Sequence, residues 1–424
     1  MLIISVFDVC LVKNRVCSLM GLKMKYVQLH TIRVGVRKFL AVMCAWVVFS
    51  PLAFSQISGP TSIPLGPFDL QSSLLVEYAQ DDNLYQSAGN QVSTSIATFT
   101  PSVELLFDNG VSGFSLGYSL ESSTFSGEAA SEDYTDQRVD LDAGTLFGEI
   151  HRFEATGSYV ESHDRQSVDL ISVNALDYFE DIQYGIAYTL GAEASIFNVE
   201  LSAGEFERTY INNRVVTEEF DREESFIGAA LMWNYLPNLT FGLSYIDTDI
   251  AYVRPQASRD GDEQVTSFNL AWEPSSTLAL DVSVGRTDRF TLDGGTNSSD
   301  YWDVTMEWQP LSYSTLALFT SSYTDEAETA IGGFTVREEF GFRWTHEWTQ
   351  RFQTEASYTD SVIGYVVNTQ DREDRGEQIE LRAAYQFRRW VNLGVFIQEV
   401  IRTSTGFSDE FDQQIYGVSA LFQI

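Results

Sequence analysis

The feature that constrains this chain most is a two-residue alternation of apolar and polar side chains, sustained over segments of about ten residues or more. Phe114, Leu116, Tyr118 and Leu120 alternate with Ser115, Gly117, Ser119 and Glu121, and Ile182, Tyr184, Ile186, Tyr188 and Leu190 alternate with Gln183, Gly185, Ala187 and Thr189. The pattern recurs from Phe197 to Ala203, Leu239 to Tyr245, Leu278 to Val284, Trp302 to Trp308, Phe340 to Trp344, Ile379 to Phe387 and Tyr416 to Ile424. Successive side chains of a β-strand point to opposite faces, so each segment predicts a strand with one oily face and one polar face.

Strand length separates two ways of hiding the oily faces. In a soluble sandwich they pack together over strands of about five or six residues. Segments of about ten or more suit a tilted crossing of a bilayer. The other face carries Asp140, Asp142, Glu154, Glu200, Glu307, Glu380 and Arg382, which suits a wet lumen. Aromatics sit near segment ends at Phe153, Tyr159, Trp233, Tyr235, Trp272, Trp308, Trp344 and Tyr385, where membrane interfaces place them. The fold class expected is all-β, a closed antiparallel transmembrane β-barrel.

The connections supply the strand number. Short turns are expected at 108–110, 147–151, 191–195, 236–238, 273–276, 309–312, 347–350 and 387–390, and longer polar segments near 80–93, 123–136, 163–177, 208–223, 247–264, 288–300, 323–335, 360–376 and 402–412. Short and long alternate throughout. Eight turns and nine loops imply about 18 strands, with both chain ends on the short-turn, periplasmic side and the long loops outside. Ile96 and Thr98 differ in parity from Val103, Leu105 and Phe107, so a bulge is expected at Pro101.

The N-terminus reads as an address. After Met24 come Lys25, Arg33, Arg37 and Lys38, an apolar run from Phe39 to Phe49, and Ala53-Phe54-Ser55 before Gln56. Residues 24–55 are therefore expected to be a signal peptide cleaved between Ser55 and Gln56. An apolar run this short does not span a bilayer as a helix, and Met43 is too bulky for lipoprotein cleavage at Cys44. Residues 1–23 read as an over-called start, 56–67 as a periplasmic lead and 68–424 as the outer-membrane barrel. Removing residues 1–55 takes away seven of 26 basic and one of 60 acidic residues, leaving 19 against 59 and a net charge of −40.

That charge argues against nucleic acid as a partner. Cys10, Cys17 and Cys44, the three cysteines, precede the cleavage site, so the mature chain has no disulfide, Cys-ligated metal or thiol nucleophile. No enzyme constellation, cofactor motif or metal site is read. His151 and His163 are expected in a turn and a loop, and His346 at an interface beside Trp348. The acids Asp81-Asp82 and Asp260-Gly261-Asp262-Glu263 lack calcium-loop spacing and are expected to meet lipopolysaccharide through divalent ions.

The opening strand Val76-Glu77-Tyr78-Ala79, the following Asp81-Asp82-Asn83-Leu84-Tyr85, and Phe99-Thr100-Pro101-Ser102-Val103 resemble the β-barrel porin-2 family. The resemblance implies an outer-membrane barrel of about 18 strands, often encoded in exopolysaccharide operons. It also implies polysaccharide passage in concert with a periplasmic polysaccharide export protein, with no catalytic residues to carry over. The ending Phe422-Gln423-Ile424 departs from the aromatic terminus that barrel-assembly machinery usually reads.

Parity nominates the lumen charges: Glu77, Glu121, Arg138, Asp140, Asp142, Arg152, Glu154, Glu200, Asp281, Asp303, Glu307, Arg343, Arg351, Glu355, Glu380 and Arg382. Acids outnumber arginines, which predicts cation preference. Phe319, Tyr323 and Phe396 share the inner parity and offer rings for stacking on sugars. The function expected is a conduit for exopolysaccharide or capsular polysaccharide. The alternatives are a diffusion porin for small solutes and a plugged structural barrel.

Overall fold

The computed structural model of the protein describes residues 62–164, 176–192, 194–256, 258–326, 333–366, 372–405 and 410–423. The expected signal peptide and its cleavage site lie outside the described residues. A short strand β1 (Ile63–Leu65) precedes eighteen long ones. These are β2 (Phe68–Asp81), β3 (Thr94–Asp108), β4 (Ser112–Phe125), β5 (Tyr134–Phe147), β6 (His151–Asp164) and β7 (Asp177–Leu190). Next come β8 (Phe197–Tyr210), β9 (Arg222–Leu236), β10 (Leu239–Tyr252), β11 (Gly261–Ser275), β12 (Leu278–Thr291) and β13 (Thr296–Leu311). The last six are β14 (Ser314–Glu326), β15 (Phe334–Thr349), β16 (Phe352–Val366), β17 (Arg372–Arg388), β18 (Val391–Ser404) and β19 (Phe411–Gln423).

Each long strand pairs antiparallel with its neighbours in sequence, and β19 pairs with β2 from Ile415↔Asp81 to Gln423↔Ser73. The sheet is therefore a closed 18-stranded barrel, leaving no open edge at the height of the apolar band, while β13 and β14 pair only from Leu311↔Ser314 to Trp302↔Ser322 and part above it. β1 folds back on β2, Leu65↔Phe68, through a turn in which Gly66 takes φ +67°.

The oily face points away from the barrel axis. Val76, Tyr78, Leu116, Tyr118, Ile182, Ile186, Leu243 and Val418 are all exposed, as a lipid-facing band requires. On β9 this face runs through Ile227, Ala229, Leu231, Trp233 and Tyr235, a height of roughly 20–25 Å at the rise and tilt of a membrane strand. Aromatics cluster at its lower edge, where Trp233 packs against Phe197, Tyr235 and Phe241, and His346 against Trp344, Trp348 and Tyr313.

Above the band the same outward face turns polar: Glu161, Glu180, Glu205, Asp247, Glu338 and Glu377 follow Tyr159, Ile182, Ala203, Tyr245, Phe340 and Ile379 in the outward row. The strands do not stop there. β9 and β10 continue to Arg222 and Tyr252, five and seven residues beyond Ile227 and Tyr245, so the wall projects beyond the apolar band by roughly 15 Å.

The eight tight turns fall where the sequence puts them, whereas the nine long connections are shorter than expected. The one expected at 288–300 shrinks to 292–295, because β12 runs to Thr291 and β13 starts at Thr296. Nor is there a bulge at Pro101. Register is unbroken along β2 (Leu74↔Pro101) and resumes in step along β4 (Phe99↔Ser122, Ser102↔Ser119). Phe99 keeps the outward parity of Val103, and Ile96 is an inward residue near the upper rim, so no parity change has to be repaired.

Candidate functional site

Register places fifteen of the sixteen nominated charges on the face opposite the apolar band. Arg351 is the exception, because β15 ends at Thr349 and β16 begins at Phe352. It sits exposed in the lower turn, where Thr349 Oγ1 accepts hydrogen bonds from the Arg351 and Phe352 N–H groups. Parity does not govern a residue that has left the ladder.

The remaining charges fall into groups. Arg382 pairs with Glu380 on its own strand and stands opposite Glu355 on β16, while Arg343 on β15 approaches Glu355 at 3.6 Å. Glu77 on β2 lies in the fields of Arg382, Glu121 and Glu380. A second group joins Arg152, Glu154 and Glu200 on β6 and β8, with the Thr189 hydroxyl donating to Glu200 at 3.4 Å. In a third, Arg138 makes two 2.7 Å bonds to Asp140, and Ser115 donates to Asp142 at 3.4 Å. Asp281, Asp303 and Glu307 follow one another on the inner faces of β12 and β13.

The nominated stacking rings are placed differently from what sugar stacking requires. Phe319 lies opposite Gly341 and Phe396 opposite Gly417, and a Cβ on either glycine would come within 2.4 or 2.7 Å of the facing ring. Those rings lie flat on the wall, filling the space glycine leaves. Phe396 also carries the Arg382 guanidinium 5.0 Å from its centroid, and Tyr323 is buried.

No grouping among the described residues is arranged to hold a metal ion. His163 belongs to β6, not to a loop, and its Nδ1 lies 2.9 Å from Asp136. Ser162 donates to the other oxygen of Asp136 at 2.7 Å. Both side chains address the same carboxylate, so the serine-to-histidine contact that activates a nucleophile is not formed. His151 opens β6 and bonds Tyr188 at 2.8 Å.

The segment Asp81-Asp82-Asn83 has a defined task at the closing seam. Asn83 is fully buried; its Nδ2 donates to the carbonyls of Ser87 and Asp412 at 3.0 and 2.8 Å, and its Oδ1 accepts the Ser87 N–H at 3.1 Å. Gln413 donates to Asp81 at 2.8 Å and to the Asn83 carbonyl at 3.1 Å, and the Gln414 N–H donates to Asp82 at 2.7 Å. First and last strands are thus clasped at the upper rim by side chains as well as by their ladder.

The most heavily buried charges are ones that parity in the band does not reveal. Arg208 pairs with Asp181 through bonds of 2.7 and 2.6 Å and lies 4.0 Å over Phe179, and Arg372 and Arg402 both bond Asp374. Arg222, Glu224, Tyr252, Glu263, Arg289 and Glu326 form a further cluster near the outer mouth. In the turn between β12 and β13, hydrogen bonds from the Thr291 hydroxyl and the Gly295 N–H hold the Asp293 carboxyl below the usual carboxylate range, which keeps it charged in mildly acidic medium.

Solved structures to which the chain is similar include the outer membrane protein OpdK of Pseudomonas aeruginosa, with 12% identity over 84% of this chain and 99% of that one, at a TM-score of 0.48. OpdQ of the same organism matches at 10% identity over 85% of this chain and 100% of its own, with a TM-score of 0.46. The FrpB iron transporter of Neisseria meningitidis matches at 11% identity over 79% of this chain, with a TM-score of 0.44, and the chain spans only 62% of its length. At these identities and TM-scores the likeness assigns neither cargo nor site. No protein-family model and no curated protein matches the sequence.

Proposed function

We propose that the protein resides in the outer membrane of a Gram-negative bacterium and conducts hydrophilic cargo through its barrel. The observation that carries this reading is the closed 18-stranded wall with an exposed apolar band outside and ionisable groups inside, including Glu77, Glu154, Glu200, Glu380 and Arg382. A wall of this kind holds water and presents a net negative surface to whatever passes. The acidic collar above the band faces lipopolysaccharide, with divalent ions bridging the two sets of anions.

The resemblance at residues 76–103 supports an exported surface polysaccharide as the cargo, handed over by a periplasmic export protein. A neutral or cationic glycan moves along such a wall through hydroxyls, amides and water. Deleting the gene is expected to abolish the surface glycan while leaving small-nutrient uptake unchanged. Normal glycan in the deletant would exclude export and favour a diffusion porin. In a planar bilayer a salt gradient is expected to give a cation-selective reversal potential, and anion selectivity would contradict the role given to the inner acids.

A further inference from the structure

Several contacts at the outer mouth join strands that are not neighbours in the wall. The Tyr252 hydroxyl on β10 donates to Glu326 on β14 at 2.6 Å, and Thr324 Oγ1 on β14 donates to Glu263 on β11 at 2.6 Å. Arg289 on β12 pairs with Glu326 at 2.7 Å and lies 5.7 Å over the Phe334 ring on β15. Neighbouring strands are about 4.8 Å apart, so β10 and β14 are separated by roughly 19 Å along the wall and β11 and β14 by roughly 14 Å. A tyrosine, a hydrogen bond and a glutamate together reach at most about 14 Å, and a threonine with a glutamate about 10 Å. Neither bond is possible across a smoothly rounded mouth; here β14 leaves β13 above Trp302↔Ser322 and, still paired with β15 up to Glu326↔Phe334, folds inward.

The connections follow it. Arg289 donates to the Arg259 carbonyl at 2.7 Å, and the Arg259 guanidinium lies 5.0 Å over Phe220 and 5.6 Å over Tyr252. A Cβ on Gly333 would stand 2.9 Å from the Ser258 carbonyl oxygen, so the residue just before β15 lies against the segment just before β11. Below this network Phe226, Ile246, Val265 and Tyr301 turn inward and pack into one buried apolar cluster. Inward apolar groups in an open tube would be wet, whereas these are not.

We propose that β10–β14 form an extracellular gate. A polar latch of Tyr252, Glu326, Arg289, Glu263 and Thr324 holds the mouth infolded over the dry layer of Phe226, Ile246, Val265 and Tyr301, and releasing the latch opens the passage. A buried ionic network adds little net stability over apolar packing, yet losing a single member leaves a charge unpaired. Two discrete arrangements of the rim follow from that sharp dependence. The gate rests on the channel reading.

The mature chain lacks cysteine, so a Ser244→Cys reporter, on β10 just below the dry layer, can be followed alone. Its reaction with a sulfonated fluorescent maleimide, too large for diffusion pores and added outside intact cells, reports opening from above. Tyr252→Phe is expected to speed labelling about ten-fold, the change that follows from losing one hydrogen bond to a charged group. The pair Arg289→Met with Glu326→Gln, which removes both charges together, is expected to do at least as much and to raise single-channel conductance. Equal labelling rates in barrels with unchanged heat-modifiable gel mobility would overturn the gate. Faster labelling without conductance in any variant would leave the gate standing and refute the channel. Tyr252→Phe alone decides the matter if the double variant does not fold.

Discussion

The lower and upper halves of this barrel are built from the same strands but obey different rules. In the lower half, lipid outside and water inside force the two faces apart, and each strand alternates oily and polar residues from turn to band edge. In the upper half both faces are polar, and inward side chains bury themselves against partners, Arg208 against Asp181 on the next strand and Tyr252 and Arg289 against Glu326 on a strand further round the wall. Below, the solvent on each side decides the side chains; above, the side chains decide how much solvent remains.

This contrast is open to direct attack by comparing outward charges. Leu231→Arg, in the middle of the outward row of β9, is expected to destabilise the barrel by about 2–4 kcal/mol, while Ser225→Arg, on the same face but above the band, is expected to cost about 0–1 kcal/mol. Urea titration of folding into lipid vesicles checks the difference. Equal costs at the two positions would mean that the band edge is misplaced.

The seam tests whether the upper half depends on side chains where the lower half depends on the ladder. Asn83→Ala strands buried acceptors at Ser87 and Asp412 and is expected to cost about 1–3 kcal/mol. A lower temperature for the gel shift of the folded barrel would report it. An unchanged temperature would show that the β19–β2 ladder closes the barrel unaided.

A smaller effect separates crowded from open places on the inner face. Gly417→Ala drives a Cβ to within 2.7 Å of the Phe396 ring and 2.6 Å of the Tyr78 carbonyl, whereas nothing lies within 4 Å of a Cβ at Gly117. The first substitution is expected to destabilise by about 1–3 kcal/mol. The second is expected to be neutral or to stabilise by about 0.4–1 kcal/mol, since glycine has more conformational freedom to lose on folding. The same urea titration orders them.

Legibility in the sequence followed the same division. The strand face of fifteen of the sixteen nominated charges was readable because residues such as Glu77, Asp140 and Glu380 each stand between two outward apolar neighbours, whereas Arg351 lies in a turn, where parity does not apply. The stretches 247–252 and 288–291 looked like loops although they are strands. Asp247 and Asp288 are outward residues above the lipid, so the hydrophobic contrast that marks a strand fades while its backbone pairing continues. Phe319 and Phe396 had the right parity for stacking on a sugar, yet only the register to Gly341 and Gly417 shows what they cover.

Alternation, segment length and the rhythm of turns were enough to specify an even-numbered closed barrel with oily rows outward, because the partition of side chains between lipid and water is local and repeats every second residue. Which inner residues meet across the bore was decided by the tertiary structure alone. Tyr252 and Glu326 are 74 residues apart and three strands lie between them. Their contact depends on how the closed wall bends, a property of the whole sheet that no single segment encodes.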